Sequence, residues 1–102
     1  MDIRLLDSAK ADLRSGWIFY ERQCTGLGDR FLDAIEADVR RLPQYAGIHS
    51  MVDSFYRLLA RRFPFAIYYR VESSTIDIYA ILDCRRDPSW IRERLFGSGG
   101  AV

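Results

Sequence analysis

The apolar residues of this chain change period once, near residue 55 of 102. Before that point they recur every three or four residues, and after it every two. Ala9, Leu13, Trp17, Tyr20 and Cys24 form one stripe, which predicts a helix from about Ser8 to Gln23, with Asp7 or Ser8 as its N-cap. "TGLGD" interrupts the pattern, and Gly26 suits the left-handed backbone position that closes a helix. Leu27, Phe31, Ile35, Val39 and Leu42 form a second stripe, with Glu36 and Arg40 paired on its solvent side and Pro43 at its end. Two helices joined by so short a link lie antiparallel, as a hairpin with facing stripes.

Strands flank this hairpin. "DIRLL" at the N-terminus alternates, with Ile3 and Leu5 on one face. "PQYAGIHSMVDS" has no period and reads as a loop. From Phe55, Tyr56, Leu58 and Ala60 alternate with Arg57, Leu59 and Arg61. Phe65, Ile67, Tyr69 and Val71 then alternate with Ala66, Tyr68 and Arg70. With Ser73-Ser74 as a two-residue turn, Val71 faces Ile76, Tyr69 faces Ile78, Ile67 faces Ala80 and Phe65 faces Leu82. On the opposite face Arg70 meets Asp77, and Tyr68 meets Tyr79.

The order is strand, two helices, three sequential strands. Asp87 caps a last short helix with Pro88 at its first position, and Arg92 and Arg94 are expected in its final turn. The expected class is therefore α+β, β-α-α-β-β-β with a short C-terminal helix. The helical hairpin packs on one face of a mainly antiparallel sheet. Residues 1–96 form a single domain, and 97–102, "GSGGAV", a flexible tail. The other sheet face is expected to stand open, carrying Arg57, Arg61, Tyr68, Arg70 and Tyr79.

Composition excludes several classes. The hydrophobic fraction of 49% excludes a disordered chain. No apolar run approaches the ~20 residues of a membrane span. The first residues do not read as a secretory signal, so a cytoplasmic protein with reduced Cys24 and Cys84 is expected. His49 is the one histidine, which leaves no metal site and a poor basis for nucleophilic chemistry; no cofactor is expected. "GLG" is an inter-helix turn, since no strand precedes it and no lysine follows. Net charge is only +1, but its distribution is uneven: Met1–Asp53 sums to −2 and Ser54–Val102 to +3. All basic residues but Lys10 are arginines, whose planar fork suits phosphate and carboxylate. Codon usage in a G- and C-rich genome gives the same count, so arginine number alone names no partner.

The position of the arginines says more. Arg57, Arg61, Tyr68, Arg85, Arg86 and Trp90 are the candidates for binding a target or a phosphate. Arginine and tyrosine on an open sheet cradle phosphates and stack bases. The plainer readings are a solvated face with Arg70 paired to Asp77, and a Trp90 that anchors the last helix to the core. Arg85 and Arg86 alternate sides at a strand end, one toward the open face and the other toward the hairpin.

"GLGDRFL", "RRFPFAIYYRV" and "RRDPSW", in that order and spacing, resemble the RelE/ParE superfamily of type II toxin–antitoxin toxins, in its ParE-like branch. The resemblance covers nearly the whole chain. It implies a plasmid-stabilisation or stress-response toxin, silenced by an adjacent-gene antitoxin whose C-terminal segment wraps it, in a heterotetramer or larger complex. RelE-like members cut mRNA on the ribosome. For that branch the resemblance implies Arg57 and Arg86 as catalytic positions, with Arg92 near the place of a final tyrosine. Leu59 and Ala66, however, stand where two further cations belong. ParE-like members instead inhibit DNA gyrase by binding. The expectation is thus a ParE-like gyrase inhibitor, not an established enzyme. The alternatives are a RelE-like ribonuclease and an inactive remnant that only pairs with its antitoxin.

Overall fold

Strands β1 (Asp2–Leu5), β2 (Met51–Val52), β3 (Phe55–Leu59), β4 (Phe65–Glu72) and β5 (Thr75–Asp83) form one sheet. Their order is β1-β5-β4-β3-β2. The helices are α1 (Asp7–Gln23), α2 (Leu27–Arg40), α3 (Leu42–Tyr45) and α4 (Pro88–Phe96). This computed structural model describes residues 1–97, so the expected tail lies outside the described residues apart from Gly97. β1 runs parallel to β5, because the α1–α2 hairpin carries the chain across the sheet. Every other pairing is antiparallel. The architecture is the expected α+β fold.

Both apolar stripes face the sheet. Phe31, Ile35 and Leu42 are buried with Ile67, Tyr69, Ile76 and Ile78. The Phe31 ring lies 5.2, 5.4 and 4.8 Å from those of Tyr20, Phe63 and Phe65. α1 meets it at Gly16, where a Cβ would come within 2.6 Å of the Phe31 ring. Gly26 has φ +92°, as its turn position requires. The Glu21 carboxylate accepts the Gly26 N–H at 3.1 Å and the Gly28 N–H at 3.0 Å, satisfying donors at the start of α2.

Four local expectations need correction. α1 has neither Asp7 nor Ser8 as its cap: Leu6 holds that position without a side-chain bond, and Asp7 lies in the first turn. Ser8 instead donates to the Tyr79 carbonyl at 2.6 Å. Pro43 does not end α2, which stops at Arg40; it sits in the first turn of α3, where its missing N–H costs nothing. Cys24, placed on the first stripe, is exposed just past the end of α1. The segment read as a loop holds residues 43–45 of α3 and the two-residue β2, both too short to show a period.

The β4–β5 hairpin turns at Ser73-Ser74 as expected, with Glu72 opposite Thr75, Val71 opposite Ile76 and Tyr69 opposite Ile78. Beyond that the register slips by one residue at a bulge. Tyr68 lies opposite Ala80, Ile67 opposite Ile81 and Ala66 opposite Leu82. The reason lies in α1. β1 ends at Leu5, so the free edge of β5 is completed by α1 side chains: Ser8 on the Tyr79 carbonyl, and Asp12, which accepts the Ile81 N–H at 3.0 Å. A bulge inverts every face after it. Ile81 therefore joins the helix-side core, and Ala80 and Leu82 turn to the other side.

That other side is not open. α4 folds back over it, started by Asp87, which accepts the Ser89 N–H at 2.8 Å. Trp90, Ile91, Leu95 and Phe96 pack on Phe55, Ala66, Tyr68, Ala80 and Leu82. Arg94 falls in the last turn of α4 as expected, whereas Arg92 does not.

Candidate functional site

The six candidate side chains fall in three places. Arg85, Arg86 and Trp90 share a groove of about 460 Å³ between α1 and α4. Arg57 and Tyr68 lie on the face covered by α4. Arg61 lies on the opposite side, against α2.

In the groove, Arg85 grips Asp83 through Nε at 3.0 Å and Nη2 at 2.7 Å. This charge-assisted pair holds Asp83 below the usual carboxylate range and pushes the Arg85 guanidinium up. Arg85 turns toward the hairpin, with Tyr20 beside it. Arg86, lining the same groove, lays its guanidinium 4.1 Å from the centroid of a Trp90 ring. Trp90 thus anchors α4 and carries a cation at once. Phe19 of α1, 49% exposed, adds an apolar wall. Arg94 pairs with Asp12 across the groove floor. Burial of Asp12 raises its pKa, with Arg94 opposing the shift. Asp12 and Arg94 were not among the expected site residues; the available signal was a carboxylate beside the α1 stripe, next to Leu13.

Arg57 is half-buried, and its Nη2 lies 3.9 Å from Cys84 Sγ. Tyr68 is 2% exposed, so its ring is withdrawn from any surface partner. Arg61 leaves the strand and donates its backbone N–H and Nε to Asp38 of α2, both at 3.2 Å. The expectation that Arg57, Arg61 and Tyr68 share an open face is therefore corrected. Arg70 lies opposite Asp77 in register but does not pair with it. Asp77 is taken by Arg4, which donates Nε at 3.0 Å and Nη2 at 2.9 Å. Arg70 sits over the rings of Phe55 (4.3 Å) and Tyr79 (4.8 Å), and its Nη2 donates to Ser54 Oγ at 2.7 Å. Its Nε is buried without a hydrogen-bond partner. Of the positions where further cations belong, Ala66 is 0% exposed and Leu59 stands at the outer sheet edge, 54% exposed.

His49 is structural: its Nδ1 bonds the Tyr69 hydroxyl, which also accepts the Gly47 N–H at 3.1 Å. Burial pulls the His49 pKa down. Among the described residues, no three His, Cys, Asp or Glu side chains converge as metal ligands. No described helix is long and apolar enough to cross a membrane. What the arrangement offers is surface: cations beside aromatic rings, suited to holding a partner.

The family described as "ParE toxin of type II toxin-antitoxin system, parDE" matches residues 3–88. The chain belongs to this family. Among solved structures it is similar to a chain of "Chromosomal ParDE TA system from P. aeruginosa", with TM-score 0.68 and 26% identity. That match covers 79% of this chain and 92% of the other. A search of curated proteins finds no match. The ParE toxin match ends at Pro88, so it includes Arg85 and Arg86, while Trp90 and most of α4 lie beyond it.

Proposed function

We propose that this ParE-family toxin arrests growth by binding DNA gyrase, without covalent chemistry of its own, and that a cognate antitoxin silences it. One observation carries the reading against a ribonuclease: α4 closes the sheet face where phosphate-binding cations would gather. Phosphodiester cleavage needs several positive groups aimed at one phosphate, and losing one such donor typically costs ~10²–10³ in rate. Ala66 and Leu59 supply no charge, Tyr68 is buried, and Arg57 is engaged at Cys84. Arg86 stacks on Trp90 in the α1–α4 groove. A toxin that works by occupying a surface needs no such convergence. The groove, with exposed Phe19 and the Arg86–Trp90 pair, is the surface best suited to the target. The ParDE description of the similar structure supports an antitoxin partner.

The test is a titration of purified chain into two reactions, gyrase supercoiling of relaxed plasmid and mRNA on programmed ribosomes. Supercoiling is expected to fall with dose while the message stays intact. Codon-positioned cleavage that disappears in Arg86→Ala restores the ribonuclease. A chain that binds its antitoxin but affects neither reaction is the inactive remnant.

A further inference from the structure

The loop between α3 and β2 is pinned to the sheet through one buried oxygen. Tyr69 of β4 is 0% exposed, and the Tyr56 ring of β3 stacks on it at 5.2 Å. Its hydroxyl meets the loop twice, accepting the Gly47 N–H at 3.1 Å and bonding Nδ1 of His49. Gly47 presents its N–H there by turning at φ +92°, a left-handed conformation that strains other residues. On one side the Ile48 N–H bonds the Tyr45 carbonyl at 3.2 Å. On the other the Ser50 carbonyl accepts the Arg57 N–H at 2.9 Å, which extends the β2–β3 pairing. Ala46 packs on the core, but Gly47 is exposed and Ile48 is 73% exposed, so burial does little to hold the loop's middle.

Counting protons fixes the state of His49. A hydroxyl has one proton to give. With Gly47 donating to the Tyr69 oxygen, that proton goes to Nδ1, so Nδ1 carries none and the ring proton sits on Nε2. A second proton on the ring makes Nδ1 a donor. Two N–H groups then point at the Tyr69 oxygen, and the hydroxyl proton is left without an acceptor inside the core. A buried donor without a partner is costly. The neighbours do not offset this. Arg41 and Arg61 line the same cleft of about 330 Å³ and disfavour another cation. The Asp38 carboxylate there already accepts the Arg61 N–H and Nε, both at 3.2 Å. Tyr45, from α3, and Tyr56 bring phenols. Burial acts in the same direction and lowers the His49 pKa.

We propose that His49 is a pH-sensitive latch on the edge of the sheet. When its imidazole takes a proton it lets go of the Tyr69 hydroxyl. Residues 47–50 then leave the sheet and loosen β2, while Ala46 and the core behind Tyr69 stay in place. The latch is closed above the ordinary histidine range and opens as pH falls through it.

The test follows the purified chain by NMR between pH 7.5 and 5.5. The amide signals of Gly47, Ile48 and Ser50 are expected to move toward unstructured positions at the midpoint of the His49 ring titration, while those of β4 and β5 stay put. Gly47 amide protection, corrected for the intrinsic effect of pH, is expected to be several-fold lower at the acid end. His49→Gln keeps an acceptor that does not titrate, so its loop signals should hold across the range. Tyr69→Phe removes the oxygen and should raise the His49 midpoint toward about 6.5. The coincidence of loop and ring midpoints needs no variant, which keeps the test decisive if either substitution folds poorly. A ring that titrates while the loop signals stay put overturns the latch. The same loop movement in His49→Gln, or β4 and β5 signals that move together with the loop, overturns it as well.

Discussion

The two faces of the sheet are covered in different ways. On one side, two long helices bury Phe31, Ile35, Ile67, Tyr69, Ile76 and Ile78 to 1% exposure or less. On the other, a nine-residue helix covers Phe55, Ala66, Tyr68, Ala80 and Leu82, yet no residue of α4 is itself buried. So short a helix is marginal on its own and keeps its place through packing and its end contacts. Those are the Asp87 cap, the Arg86–Trp90 stack and the Arg94–Asp12 pair. One face thus carries the stability of the fold. The other trades burial for a groove with exposed cations and rings.

Truncation in each face tests that division. Phe31→Ala removes a ring with 0% exposure and three aromatic neighbours. It is expected to cost about 3–5 kcal/mol, a large part of a small domain's stability. Leu95→Ala, in half-exposed α4, is expected to cost about 1 kcal/mol. Denaturant unfolding of both variants measures the gap; equal losses would mean that the α4 face is as structural as the other.

A smaller effect sharpens the picture of α4. Arg94→Gln leaves Asp12 with the Ile81 N–H but without its cation. The expected loss is about 1 kcal/mol, with faster amide exchange confined to α4. Exchange that rises evenly across the sheet would show that the pair holds the fold and not the helix.

His49 gives a pH signature that belongs to the helix side alone. Burial against Tyr69 depresses its pKa in the folded chain, so between that value and the unfolded value of about 6.5 the unfolded chain binds more protons. Stability therefore falls as pH drops below about 6.5 and is restored as pH rises through that window. His49→Gln is expected to flatten this slope between pH 7.5 and 5.5. The same slope in the variant would assign it to other groups.

The helix-side core was legible because its signals are periodic. Two stripes, a glycine turn and a two-residue hairpin each repeat a spacing that only one packing satisfies. The bulge at Tyr79 was not, since it depends on α1 side chains Ser8 and Asp12 completing a strand edge far away in sequence. Missing it turned Ala80 and Leu82 to the wrong face and left the second face looking open. The α4 cover was hidden for a related reason: Asp87-Pro88 announced a helix but not where it would lie. Of the site, the sequence singled out Arg85, Arg86 and Trp90, which do meet, and grouped Arg57, Arg61 and Tyr68, of which Arg57 and Tyr68 are cross-strand neighbours while Arg61 stands apart on Asp38. The family entered through motif order, and its match over residues 3–88 bears that out.

The smallest structural effect is expected where the functional one matters most. Arg85 and Arg86 are neighbours in one groove but stand in different electrostatic states. Asp83 neutralises Arg85 through two hydrogen bonds. Arg86 rests on the Trp90 ring and keeps its charge available. An exposed stack or ion pair contributes only about 0.5–1 kcal/mol, so either alanine substitution should leave unfolding nearly unchanged. If the groove meets the target, Arg86→Ala should raise the toxin concentration needed to block supercoiling several-fold, and Arg85→Ala should raise it less, because its charge is already spent on Asp83. Equal effects would mean that charge state inside the groove does not matter to the target. Unchanged inhibition in both variants would move the target surface off the α4 side altogether.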